Sequence, residues 1–149
     1  MGQSAGNGAT NAYYSNFLGL QAGQNATYAF NSNFLGQQAG YNATNAYNSN
    51  FLGYYAGYYY QGSGSVAIGD EAGYTELKSD AVAIGTSAQY YGNGSSAVAI
   101  GNSAGYESLG DYAVALGRES AYNGSGAGSV AIGDGALYDG AADYTIAIG

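Results

Sequence analysis

Residues 65–69 read Ser-Val-Ala-Ile-Gly. In an extended chain Val66 and Ile68 project to one side and Ala67 to the other. The same run returns at 129–133, and AVAIG fills 81–85 and 97–101. Upstream, SNFLG stands at 15–19, 32–36 and 49–53. Each run is short, sends successive side chains to opposite faces and closes on Gly, so each predicts a short strand followed by a turn. The closing glycines are Gly19, Gly36, Gly53, Gly69, Gly85, Gly101, Gly117, Gly133 and Gly149. They are spaced by 17 residues at first and by 16 thereafter. Counting back from Gly19 reaches Gly2, where Gly2-Gln3-Ser4-Ala5-Gly6 parallels Gly19-Leu20-Gln21-Ala22-Gly23.

Nine repeats therefore make up the chain, and residues 1–149 read as a single domain. Residues 1–53 hold the SNFLG-type, 17-residue rungs, and 54–149 the VAIG-type, 16-residue rungs. A period this short predicts one rung of a parallel β-solenoid, an all-β fold. Two strands of about five residues per rung are expected, each closed by a turn. Rungs stack at ~4.8 Å, so each side chain meets its own column mate above and below. Tyr41, Tyr58, Tyr74, Tyr90, Tyr106, Tyr122 and Tyr138 share one such column, and Asn16, Asn33 and Asn50 another.

The bulkier face is expected inside: Val66, Ile68, Val82, Ile84, Val98, Ile100, Val114, Leu116, Val130 and Ile132. Ala67, Ala83, Ala99, Ala115, Ala131 and Ala147 would then point away from the core, a small-residue face suited to close approach of another chain. Phe17, Phe34 and Phe51 take that column in the first rungs and are expected at the same chain–chain contact. A slip of one residue in register would exchange the two faces and is the alternative account of the switch. So thin a rung buries little apolar area against the entropy of ordering it, so further chains are expected alongside, and three such faces around an axis, a side-by-side homotrimer, would bury one another.

Composition narrows the function. The chain has 27 Gly and 18 Tyr, no Pro, Cys, Trp or His, and 8% charged residues. With two basic residues and a net charge of −8 it carries no footprint for nucleic acid. No apolar run approaches the length of a membrane-inserted helix. Without His or Cys the usual bases, nucleophiles and thiolate ligands are missing, so no enzyme activity and no cofactor are expected. Asp70 with Glu71, and Asp139 with Asp143, offer hard-cation oxygens, but they read as solvated turns. All the charged residues lie between Asp70 and Asp143. The uncharged N-terminal stretch contains YYAGYYYQ at 54–61, and exposed aromatic surface of that kind marks contact sites. Tyr54, Tyr55, Tyr58, Tyr59 and Tyr60 are the candidate contacts for a cell-surface protein, a glycan or another subunit.

The SVAIG and AVAIG runs resemble the head repeats of trimeric autotransporter adhesins. The N-terminal rungs, with SNFLGQQAGYNATNAYNSNFLGYYAGY, resemble repeats of bacteriophage tail-fibre-type proteins. The resemblance implies a left-handed parallel β-roll, three chains side by side, and a place outside the cell, on its surface or on a virion. The expected role is a non-enzymatic fibrous or adhesive one, as the head or shaft of an adhesin or tail fibre. The alternative is a filament subunit stacking head to tail through Gly2 at one end and Ile146 and Ile148 at the other, since an open strand edge is a template for pairing.

Overall fold

A computed structural model describes residues 2–92 and 94–149. The chain is an all-β parallel solenoid, with no helix among the described residues. Nine three-residue strands follow in order: β1 Asn16–Leu18, β2 Asn33–Leu35, β3 Asn50–Leu52, β4 Val66–Ile68, β5 Val82–Ile84, β6 Val98–Ile100, β7 Val114–Leu116, β8 Val130–Ile132 and β9 Ile146–Ile148. They form one sheet in chain order, every neighbour parallel. Register holds through the change of repeat, where Asn50 meets Val66 and Phe51 meets Ala67. The slipped-register alternative is therefore excluded.

The expected pair of five-residue strands per rung is replaced by one strand of three. Elsewhere the rungs touch through isolated bridges: Thr10 to Thr27, Thr27 to Thr44, Tyr59 to Thr75 and Leu109 to Ser125. Closely spaced corners are the reason. The second residue after each closing glycine takes a left-handed backbone, with φ of 55° at Gln21, 57° at Gln38, 54° at Tyr55 and 56° at Glu71. A side chain there costs ~1–2 kcal/mol. The same corners hydrogen-bond to the rung before, which offsets the cost: the Gln38 amide donates to the Leu20 carbonyl at 2.8 Å and the Glu71 amide to that of Tyr54 at 2.8 Å.

The face assignment is the main correction. Ala67, Ala83, Ala99 and Ala115 are fully buried inside their own chain, Ala131 nearly so, and Ala147 is half-buried in the last rung. Phe34 and Phe51 are also fully buried, and Phe17 packs partly covered against the same core. Ala67, Ala83, Ala99, Ala115, Ala131, Phe34 and Phe51 therefore face the chain's own interior and offer no surface to another chain. Val66, Val82, Val98, Val114 and Val130 are half-buried, and Ile68, Ile100 and Ile132 are exposed, with Ile84 and Leu116 between. A 16-residue rung turned back on itself leaves a narrow interior. Methyl groups fill such a space at ordinary packing density, whereas a column of branched chains on the same face would overpack it.

Interior volume is shared between positions. Phe17, Phe34 and Phe51 supply the large group in the first rungs. Gln61, Leu77 and Leu109 supply it eight residues after the closing glycine, and Gln89 four residues after. Where Phe fills the layer, a glycine faces it: a Cβ on Gly40 would lie 2.3 Å from Phe34 Cδ2, and one on Gly57 would lie 2.5 Å from Phe51 Cγ.

Candidate functional site

Three features of the surface have the regularity or concavity of a site. The first is the outer face of the sheet. Leu18, Leu35, Leu52, Ile68, Ile84, Ile100, Leu116, Ile132 and Ile148 form a column along it, with the valines beside them. Ile100 keeps 41% of its surface in water and Ile68 38%. The aliphatic stripe thus runs the length of the sheet, ~38 Å at eight strand spacings. In β1 to β3 its valine column becomes an amide ladder, with Asn16 Nδ2 donating to Asn33 Oδ1 at 2.8 Å and Asn33 Nδ2 to Asn50 Oδ1 at 2.9 Å.

The second feature is a stack of phenol rings. Tyr41, Tyr58, Tyr74, Tyr90, Tyr106, Tyr122 and Tyr138 lie ring upon ring, with centroids 4.8–5.2 Å apart. Interplanar angles are 15° or less. The in-register parallel sheet imposes this spacing, because every rung repeats the same corner. Tyr55 and Tyr59 meet Tyr58 edge-on at 4.8 and 4.3 Å, and Tyr54 meets Tyr55 at 4.0 Å. Burial is the main cause that raises the Tyr58, Tyr74, Tyr90 and Tyr106 phenols above their ordinary pKa, Tyr90 to about 12. Tyr54 is pushed up to about 12, chiefly by its hydrogen bond with Tyr55.

The structure therefore gathers Tyr54, Tyr55, Tyr58 and Tyr59 into one aromatic cluster at the start of the 16-residue rungs. Tyr60 lies beside Tyr59, with centroids 6.3 Å apart, and belongs also to the third feature. This is an open groove of about 480 Å³ lined by Thr44, Asn45, Tyr47, Tyr60, Gln61, Gly62, Ser63, Glu76, Leu77, Lys78 and Ser79. It lies where rungs of 17 residues give way to rungs of 16. The bridge column Thr10–Thr27–Thr44 stops there and resumes at Tyr59–Thr75. The shorter rung also moves its buried side chain, from Ala43 seven residues after the closing glycine to Gln61 eight after.

Sequence reasoning did not find the groove residues Tyr47, Gln61, Glu76 and Lys78. The signal was the loss of one residue per repeat after Gly53. Among the described residues no three acidic side chains come together as a metal site. Both cations are paired at the surface, Lys78 Nζ with Glu76 at 2.7 Å and Arg118 with Asp134 at 2.7 Å. Gly2 is partly covered, and Ile146 and Ile148 stand exposed on the outer strand β9. No family model, curated protein or solved structure matches the chain. No helix among the described residues is long and apolar enough to cross a membrane.

Proposed function

We propose that the chain is a non-enzymatic fibrous protein, the head or shaft of an extracellular adhesin or tail fibre, assembled as a side-by-side homotrimer. The observation that carries the reading is the aliphatic stripe on the outer face of the sheet. It replaces the Ala and Phe columns as the surface through which chains meet. The stripe is as narrow as a three-residue strand and carries no charge in β4 to β9. Three such stripes converging on one axis would bury one another, and an uncovered apolar surface of this length is unusual for a monomer. The aromatic cluster from Tyr54 to Tyr60 supports contact with a cell-surface protein or glycan, since phenols combine apolar area with a hydrogen-bonding end.

Native mass spectrometry tests the assembly. Three chains are expected for the native protein, and a lower stoichiometry for Ile100→Lys, which puts a charge in the middle of the stripe. A native protein that stays monomeric at micromolar concentration contradicts the trimer. A second reading, the head-to-tail filament, draws on β9. Its Ile146 and Ile148 continue the register of Val130 and Ile132 and present the same pattern to a further strand. Electron microscopy separates the two: unbranched fibres favour the filament, and discrete short rods favour the trimer.

A further inference from the structure

We propose that the groove at the change of rung length is a binding site for a neutral oligosaccharide, with Tyr60 and Tyr47 as the aromatic surfaces and Gln61 as the buried polar anchor. The inference rests on the adhesive reading above and names the site and ligand class within it. The volume of about 480 Å³ is in the range of small-ligand sites. Its floor holds two side chains sealed from water, Gln61 and Leu77, each 1% exposed. A buried glutamine recurs at Gln89, and the position of Gln61, eight residues after the closing glycine, holds Leu77, Leu109 and Ser125 further along the solenoid.

The amide is held by its nitrogen. Gln61 Nε2 donates to the Gly73 carbonyl at 3.0 Å and to the Tyr59 carbonyl. Its Oε1 is left with no partner among the described residues. A buried carbonyl without a donor is costly, so a ligand hydroxyl that gained access to it would relieve that cost. Around this floor the groove offers the groups that sugars use. Tyr60 is 67% exposed, so its ring face is open to the apolar face of a pyranose. Thr44, Ser63 and Ser79 supply hydroxyls, Asn45 an amide, and the Glu76–Lys78 pair a fixed acceptor and donor at the rim.

Charge selects among sugars. The one ammonium in the groove is already held by Glu76 at 2.7 Å, and the chain carries a net charge of −8. Sialylated or sulfated glycans are therefore disfavoured and uncharged ones accepted. A phosphate-bearing ligand is disfavoured on the same ground. The rung-length change explains why the site sits here: every other junction joins rungs of equal length.

The test uses the full chain, fluorescently labelled, on a printed array of neutral and sialylated oligosaccharides. Two variants probe the groove. Tyr60→Ala removes an exposed ring, and Gln61→Leu installs the residue that the solenoid already accepts at Leu77 and Leu109, so both should keep the native circular dichroism. Tyr54→Ser serves as a control on the aromatic cluster outside the groove. The expected result is binding to neutral glycans that both groove variants weaken at least about tenfold, a loss of ~1.4 kcal/mol, while Tyr54→Ser does not. No binding to any neutral glycan, binding confined to sialylated glycans, or neutral binding lost in Tyr54→Ser and kept in Tyr60→Ala would each overturn the proposal. Native mass is measured on the same samples. A monomer that still binds neutral glycans through Tyr60 would sink the trimer and keep the groove, and a trimer that binds none would do the reverse.

Discussion

Phe51→Ala tests the inward face where it is most heavily packed. The ring of Phe51 is fully buried and stacks on Phe34 with centroids 4.8 Å apart. The backbone of Gly57 lies against the ring, so tightly that a Cβ there would overlap it. Truncating a Phe in such a setting costs about 3–5 kcal/mol, because rigid neighbours cannot collapse into the cavity. Loss of the ring pair adds ~0.5–1.5 kcal/mol. Against a typical stability of about 5–15 kcal/mol, that is a large fraction. Urea unfolding followed by far-ultraviolet circular dichroism measures the change in midpoint, and amide exchange at β2, β3 and β4 shows whether the loss is local, as expected for stacked repeats. The comparison is Leu52→Ala, one residue on and partly exposed on the outer face. It should lower the assembly mass more than the stability of the rung. A cost below about 1 kcal/mol for Phe51→Ala, far under the cavity expectation, with unfolding by Leu52→Ala, would mean that the faces have been assigned the wrong way round.

The same logic gives Ala99→Lys as unfolding and Ile100→Lys as folded with weakened assembly, since Ala99 is sealed and Ile100 is 41% exposed. Circular dichroism and native mass together separate the outcomes, and equal unfolding by both would contradict the assignment. Gly53→Ala should abolish the soluble folded form, because φ there is 140° and a Cβ would lie 2.2 Å from the Gly69 carbonyl oxygen. A thermal midpoint unchanged from native would refute the close contact between closing glycines. Tyr90 holds its proton more tightly folded than unfolded, with a pKa of about 12 against the ordinary 10.0, mainly through burial. Its contribution to stability is complete below about pH 10 and is lost as pH rises through about 12. Urea midpoints that fall across that window are expected, with less fall in Tyr90→Phe, and an equal fall in the two proteins would contradict the role of the stack.

The period, the closing glycines and the tyrosine column could be read from the sequence because they are properties of spacing, and a parallel in-register sheet turns equal spacing into contact. The interior could not be read the same way. Strict alternation says that Ala67 and Ile68 face opposite sides but not which side is inside when both are apolar. The usual preference for large aliphatic residues inside fails here because the rung encloses so little space. Gly40 against Phe34 held the answer, since a glycine column facing Phe signals a ring that needs the room. The groove was hidden for a different reason. It arises from the mismatch of two rung lengths at Thr44 and Tyr59, so no single motif encodes it. Non-glycine corners such as Gln38 and Glu71 were equally invisible, because their left-handed backbone is stabilised by bonds to the neighbouring rung and not by local preference.

The most direct test of the stacked-rung solenoid is an electron–electron distance between two spin labels. The chain has no Cys, so Asp70→Cys with Asp134→Cys labels two positions of one column, four rungs apart. Both sites are exposed on corners that follow closing glycines. Labelled chains are diluted with unlabelled ones so that only distances within a chain are read. Stacking of successive rungs in register predicts a single distribution near ~19 Å, four strand spacings of the sheet, broadened by the label arms. A distribution centred well beyond that length, or one as broad as an unfolded chain of the same length gives, would contradict the parallel solenoid on which the stripe, the phenol stack and the groove all depend.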